Sequence, residues 1–264
     1  MTKSTVTSLD AIHRWVIETV EAGHEPAGLL EQMCRGGWRE DQALAVIESA
    51  LESRLQQSRP PFDPRWIDGL PCFPHWQPGF LSASGTQRLR KYADAHAAAF
   101  GVLDQGDVES RDFWAGRTLL PNDVTDPAIV LLLRDLRRRM MATTRDLLLR
   151  YFSSCPPLYA DVINFARWPP GYELKPHADR ENPDGMPHPY SWRDFGAVIY
   201  VNADYEGGEI YFPTLEREFA PEPGTLAVFP GTLRFLHGVK PVTIGMRHTI
   251  AAFMTFDASK DMPF

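Results

Sequence analysis

The spacing of apolar residues divides the chain near residue 157 into a helical first part and a β-rich second part. In the first part, Ile12, Trp15, Val16 and Val20 recur at the three-to-four-residue interval that places side chains on one face of a helix. Ser8 or Asp10 is placed to cap the start of that helix, and Gly23 ends it. "EPAGLLEQMCRG" carries Pro26 in a first-turn position and stops at Gly36-Gly37. "REDQALAVIESALESRLQQ" sets Ala43, Val46, Ile47, Ala50 and Leu51 on one stripe, so residues 1–58 are predicted to form a helical region. Two more helices are expected, over residues 82–100 and 126–152, the second with Leu132, Leu133, Leu136, Met140, Leu147 and Leu148 on its apolar side.

After Pro156-Pro157 the period shortens. "YADVINFARW", "FGAVIYVNA", "GEIYFPTLE", "TLAVFPG", "RFLHGVKPV" and "RHTIAAFMTF" are short runs rich in Val, Ile, Tyr and Phe, broken by Gly and Pro. That texture predicts a β-sandwich or barrel. Between the two parts, "RPPFDPRWIDGLPCFPHWQPGF" has six prolines and five large aromatic residues, which excludes a regular helix or a central strand. Residues 59–81 are therefore expected to be a linker whose rings pack across the surface of the following domain, residues 82–264.

Composition narrows the class. With 44% apolar and 23% charged residues in 264, the chain has an ordinary globular balance. A net charge of −7 argues against attraction to nucleic acid. The one dense basic run, Arg134, Arg137, Arg138 and Arg139, is expected to decorate the polar side of the long helix. Cys34, Cys72 and Cys155 are too widely spaced for a disulfide framework or a zinc site, which suits a cytoplasmic protein. No run of eighteen apolar residues occurs, so neither export nor a membrane span is expected.

Candidate chemistry lies in the β-rich part. His177 and Asp179 flank Ala178 in "ELKPHADREN"; alternate residues of a strand share a side, so both can reach one ion while Ala178 faces the opposite layer. His237, 58 residues beyond Asp179, suits a third ligand from another strand. Two imidazoles and a carboxylate leave coordination positions open, the facial arrangement of non-heme Fe(II) oxygenases. Arg247 follows His237 by ten residues, an even offset that puts both on one face if a turn at Thr243 to Gly245 joins two paired strands. Its planar cation would hold a distal carboxylate. The segment "RENPDGMPHPYSWRDFG" is expected to loop over the pocket mouth, with Arg180, His188, Tyr190, Trp192 and Arg193 as candidate substrate contacts.

Four motifs in order, "PPGYELKPHAD", "VIYVNADYEGGEIYFP", "PEPGTLAVFPG" and "HGVKPVTIGMRHTI", resemble the catalytic domain of the prolyl 4-hydroxylase-type 2-oxoglutarate and Fe(II)-dependent dioxygenases. The resemblance implies an α+β fold: a double-stranded β-helix, or jelly roll, over residues 158–258, with supporting helices and the N-terminal helical region ahead of it. It implies Fe(II) on His177, Asp179 and His237, and 2-oxoglutarate held through Arg247 with Tyr200 bonding the same carboxylate. O2 is the further cosubstrate, ascorbate an optional addition, and succinate and CO2 the products. Where relatives carry a tyrosine nine residues before the metal histidine this chain has Trp168, so either Trp168 or Tyr172 lines the 2-oxoglutarate site.

The implied reaction is hydroxylation of an unactivated C–H bond, on a prolyl or other amino-acid or peptide substrate or on a small molecule. Nucleic-acid demethylation fits poorly, because a second arginine shortly after Arg247 is lacking. The alternative is a non-catalytic module that binds metal and 2-oxoglutarate as a sensor or partner-binding piece. Residues 1–58 read as a helical bundle that packs on the core, a second subunit or a partner. Their "MCRGGW" turn also resembles that of the ubiquitin-associated three-helix module.

Overall fold

The structure, a computed structural model, describes residues 8–101 and 113–264. It divides into two compact units, residues up to Phe62 with Leu148–Cys155, and Asp63–Leu147 with Pro156–Phe264.

In the first unit, α1 (Leu9–Glu21) starts at Ser8, whose Oγ accepts the Ala11 N–H at 3.3 Å. Such a cap contributes roughly 1 kcal/mol. Pro26 opens α2 (Pro26–Arg35), and Gly37, at φ +92°, lets the chain turn so that the Trp38 N–H reaches the Met33 carbonyl at 3.1 Å. With α3 (Glu40–Ser58) these helices bury Val16, Leu29, Met33, Ala43, Ile47 and Ala50 together. The Gln56 side-chain amide donates to the Phe152 carbonyl at 2.9 Å.

The second unit begins inside the proline-rich stretch, which holds more structure than a surface linker. Asp63 caps a 3₁₀ turn over Pro64–Gly69, and His75–Gln77 forms β1. Ile67, Phe73, Phe80 and Leu81 are buried. The strand is short and lies at a sheet edge, which is where a proline-rich sequence can still pair. α4 (Ala83–Ala95) is capped by Ser82. A two-residue strand, β2 (Thr118–Leu119), precedes α5 (Pro127–Leu149).

α5 buries Leu133, Leu136, Met140, Leu147 and Leu148 as its pattern predicts, but its arginines are not mere surface decoration. Arg134 donates to the Phe264 carbonyl at 2.6 Å, Arg137 pairs with Asp261, and Arg139 reaches the Phe80 carbonyl. Long side chains lie along the helix flank and carry their heads to acceptors on neighbouring segments, which no helical wheel records. Arg138, with its side chain 71% exposed, keeps the predicted role.

The remaining strands are β3 (Tyr159–Trp168), β4 (Leu174–His177), β5 (Phe195–Tyr200), β6 (Tyr205–Gly207), β7 (Ile210–Phe212), β8 (Arg217–Phe219), β9 (Leu226–Pro230), β10 (His237–Val239), β11 (Val242–Gly245) and β12 (Arg247–Thr255). One sheet has the order β1-β9-β5-β12-β3-β2, a second β4-β10-β7-β8, and β11 pairs with β6. The chain alternates between the two larger sheets, so β3-β12-β5-β9 faces β4-β10-β7-β8 as a double-stranded β-helix. No described helix is long and apolar enough to cross a membrane.

Two local expectations are corrected. Residues Thr243 to Gly245 belong to β11 and are not a turn between paired strands; His237 and Arg247 start strands of different sheets. β4 ends at His177, so a bend and not strand alternation brings Asp179 into place, and Ala178 borders the same cavity as its neighbours. The Arg180 N–H, bonded to the Gly231 carbonyl at 3.0 Å, fixes that bend.

Candidate metal and cosubstrate site

β4 and β10 pair so that His177 and His237 are direct partners in the antiparallel register. Each imidazole has Nδ1 within hydrogen-bond distance of a carbonyl two residues earlier, Lys175 at 3.0 Å and Phe235 at 3.1 Å. A carbonyl only accepts, so each Nδ1 carries a proton, and in the neutral ring Nε2 is then the atom left to bind a metal. Both Nε2 atoms face Asp179 Oδ1, at 3.8 and 3.9 Å, too far for hydrogen bonds and suited to a common ion. Burial first, and the neighbouring His177 second, push His237 down to about 4, which keeps it in the neutral, ligating form.

Asp179 is 4% exposed, and its Oδ2 has no hydrogen-bond partner among the described residues. A carboxylate is rarely buried unpaired, because desolvation without compensation is expensive. One ligand atom from each of His177, Asp179 and His237 lies within 4.8 Å of the others, so the three donors fit a metal ion, which would compensate the buried carboxylate charge. Gly196 makes room, since a Cβ there would lie 2.6 Å from Asp179 Oδ2 and 2.7 Å from the Phe229 ring.

Arg247 and Tyr200 are buried in the facing sheet. The Arg247 Cζ lies 5.3 Å from the Tyr200 ring centroid, and neither Arg247 Nε nor the Tyr200 hydroxyl has a partner among the described residues. Burial raises the Tyr200 hydroxyl well above the ordinary phenol range, so it stays a donor. Two adjacent donors lacking an acceptor, one of them a fixed cation, fit a carboxylate. Gly208, at φ +69°, leaves space for the arginine stem, because a Cβ would stand 2.8 Å from Arg247 Cδ.

Trp168 sits in register with Arg247 and borders the cavity; its indole N–H donates to Thr249 Oγ1 at 3.3 Å. Tyr172 is 39% exposed and instead packs 3.9 Å from the buried Arg117 guanidinium. Trp168 therefore walls the cavity at the Arg247 end.

The triad and Arg247 open on one cavity of about 600 Å³. Of the loop residues read as substrate contacts, His188, Tyr190 and Arg193 line it. Arg180 and Trp192 do not: Arg180 pairs with Asp194, and the Trp192 indole donates to Asp161 Oδ2 at 3.1 Å. Asp161 lies where the β3 register shifts between Phe253 and Met254, and its Oδ2 also accepts from Arg193 Nε at 2.8 Å. Such a bulge re-aims one side chain, here onto the arginine of the cavity wall. Arg193 is further held 3.8 Å from the Phe253 ring and 3.9 Å from the Tyr190 ring.

Trp114, Asn164, Asn182 and Asp161 escaped the sequence reading. Asn164 carried a usable signal, because it shares the strand phase of Trp168.

Comparison with known proteins agrees with this geometry. The profile of the 2OG-Fe(II) oxygenase superfamily matches residues 163–255. Prolyl 3-hydroxylase 1 of Gallus gallus is 40% identical over 76 residues, 27% of this chain and 10% of that protein; the human protein is 38% identical over the same span. The match thus covers about a tenth of the length of these relatives. A Trichoplax adhaerens prolyl hydroxylase in complex with a hypoxia inducible factor oxygen degradation domain peptide fragment shares the fold at TM-score 0.50 and 15% identity, covering 80% of this chain and 94% of that one. A Pseudomonas putida prolyl-4-hydroxylase gives TM-score 0.48 at 19% identity, over 73% and 98% of the two chains. Residues 163–255 of the chain are thus similar to the 2OG-Fe(II) oxygenase superfamily, and a 76-residue stretch is similar to prolyl 3-hydroxylases.

Proposed function

We propose that this protein is a 2-oxoglutarate- and Fe(II)-dependent hydroxylase acting on a prolyl or other amino-acid residue of a peptide, with release of succinate and CO2. The observation that carries the reading is one cavity lined by the Asp179 carboxylate with its two histidines and by Arg247, whose Nε, like the hydroxyl of the adjacent Tyr200, has no partner among the described residues.

His177, Asp179 and His237 would hold the metal, and Arg247 with Tyr200 the far carboxylate of 2-oxoglutarate. When bound with O2, these groups supply oxidative decarboxylation coupled to hydroxylation of a C–H bond. The chain's own residues orient and enclose. Lys175 and Phe235 carbonyls keep both imidazoles in the ligating tautomer. Ile210, Phe229 and Val239 line the cavity with apolar surface that excludes water around the reacting centre. Arg193, fixed by Asp161, presents a cation on the substrate side that suits a peptide carbonyl or a carboxylate.

A peptide is favoured by the names of the similar proteins, prolyl hydroxylases, one of them in complex with a peptide fragment. No feature of the site favours the non-catalytic alternative. The test is a screen of proline-containing peptides against free amino acids with Fe(II), 2-oxoglutarate and air, read by mass spectrometry. A product heavier by one oxygen, lost in His237→Ala, supports the reading. Hydroxylation of free amino acids alone would move the substrate class to small molecules.

A further inference from the structure

The inner face of the larger sheet forms rows across β3, β12 and β5. Trp168 and Arg247 make one row, Ala166, Thr249 and Tyr200 the next, then Asn164, Ala251 and Val198, then Val162, Phe253 and Gly196. The cosubstrate arginine stands at one end. Asp179 Oδ2 lies against Gly196 in the last row, and Arg193 packs on Phe253 in that same row.

Asn164 occupies the row between. It is 6% exposed and borders the cavity. Its row neighbours, Ala251 and Val198, are apolar. Thr249, one row away, already accepts the Trp168 indole N–H. Its amide can offer a donor and an acceptor to a ligand in that cavity.

We propose that Asn164 is a binding residue for the 2-oxo acid, its amide N–H donating to the carboxylate at the metal end of 2-oxoglutarate. This assignment rests on the oxygenase reading above. A dicarboxylate anchored at Arg247 and reaching the triad must cross the Asn164 row. If the 2-oxo acid chelates the metal, the carboxylate next to its oxo group would keep one oxygen free to accept a hydrogen bond. A substrate contact fits less well, because the substrate-side groups, Arg193 and Tyr190, pack at the Phe253 row, one row farther from Arg247 than Asn164.

The experiment is an anaerobic titration of 2-oxoglutarate into the Fe(II)-loaded full chain, followed by the visible absorption of the chelated 2-oxo acid, for wild type, Asn164→Ala and Asn164→Asp. Fe(II) binding without 2-oxoglutarate and thermal melting are recorded beside it, with Asn164→Ser as the substitute should the alanine variant fail to fold. The expected result is about a tenfold rise in the 2-oxoglutarate Kd for Asn164→Ala, the loss of one good hydrogen bond. Asn164→Asp should lose more through charge repulsion, and Asn164→Ala should keep its Fe(II) affinity. Wild-type 2-oxoglutarate affinity in both variants would overturn the assignment while leaving the oxygenase reading intact. No absorption in the wild-type protein would remove that reading and this assignment with it.

Discussion

His177 and His237, sixty residues apart in the chain, face each other in the register of β4 and β10, each with Nδ1 turned to the carbonyl two residues before it. The repeated arrangement sets both Nε2 atoms before an Asp179 carboxylate whose second oxygen is buried and has no partner among the described residues. Asp179→Asn should therefore raise the stability of the metal-free protein, by about 1–3 kcal/mol, since it replaces an uncompensated buried charge by a neutral amide. Added Fe(II) or Mn(II) should raise the melting temperature of the wild type and leave the variant unchanged. Calorimetry of both proteins with and without metal checks this; a less stable metal-free Asp179→Asn protein would mean that the carboxylate has an internal partner.

Arg247 and Tyr200 make unequal contributions to carboxylate binding. Arg247→Lys keeps the charge and loses the planar fork, so 2-oxoglutarate affinity should fall roughly a hundredfold, within the ~1.5–3 kcal/mol of a charged hydrogen bond. Tyr200→Phe removes one hydroxyl and should weaken binding about fivefold, near 1 kcal/mol. Equilibrium binding of 2-oxoglutarate to the Mn(II)-loaded proteins measures both, and equal losses would argue against this division of labour.

Gly196→Ala tests the close packing under the triad. A methyl group 2.6 Å from Asp179 Oδ2 and 2.7 Å from the Phe229 ring must push one of them aside. Metal affinity should drop at least tenfold, the scale seen when support around a ligand is lost. Near-wild-type Fe(II) binding with an intact fold would show that the carboxylate has freedom this packing denies it.

Asp161→Asn should loosen Arg193 and Trp192 without touching the cosubstrate end. The expected signature is a several-fold higher KM for the peptide substrate with an unchanged 2-oxoglutarate Kd, as for a lost contact of about 1 kcal/mol. Steady-state kinetics separate the two, and an effect confined to 2-oxoglutarate would place Arg193 elsewhere in the reaction.

The triad was legible because His-x-Asp is a local signal and a distant histidine in an apolar run is a natural third ligand. The route to Arg247 was not. Its even offset from His237 suggested a hairpin, whereas the chain crosses through β11 into the other sheet, and long-range pairing has no mark in local spacing. Loop position alone nominated Arg180, His188, Tyr190, Trp192 and Arg193 together. Only folding decides that Asp194 and Asp161 hold the first and the fourth away from the cavity. Asp161 depends on a bulge, and the role of the α5 arginines on segments distant in sequence, so both lay beyond periodicity. Asn164 could have been found, since once Trp168 is placed in the site, the period of two carries the same face to residue 164.

The central claim is that one cavity holds a metal and a 2-oxo acid and turns them over. The direct measurement adds Fe(II) and then 2-oxoglutarate anaerobically to metal-free protein, records the visible charge-transfer absorption, admits O2 and quantifies succinate, with His237→Ala in parallel. The account predicts absorption and succinate in the wild type and neither in the variant. Absence of absorption in the wild type, or absorption that survives His237→Ala, would contradict it.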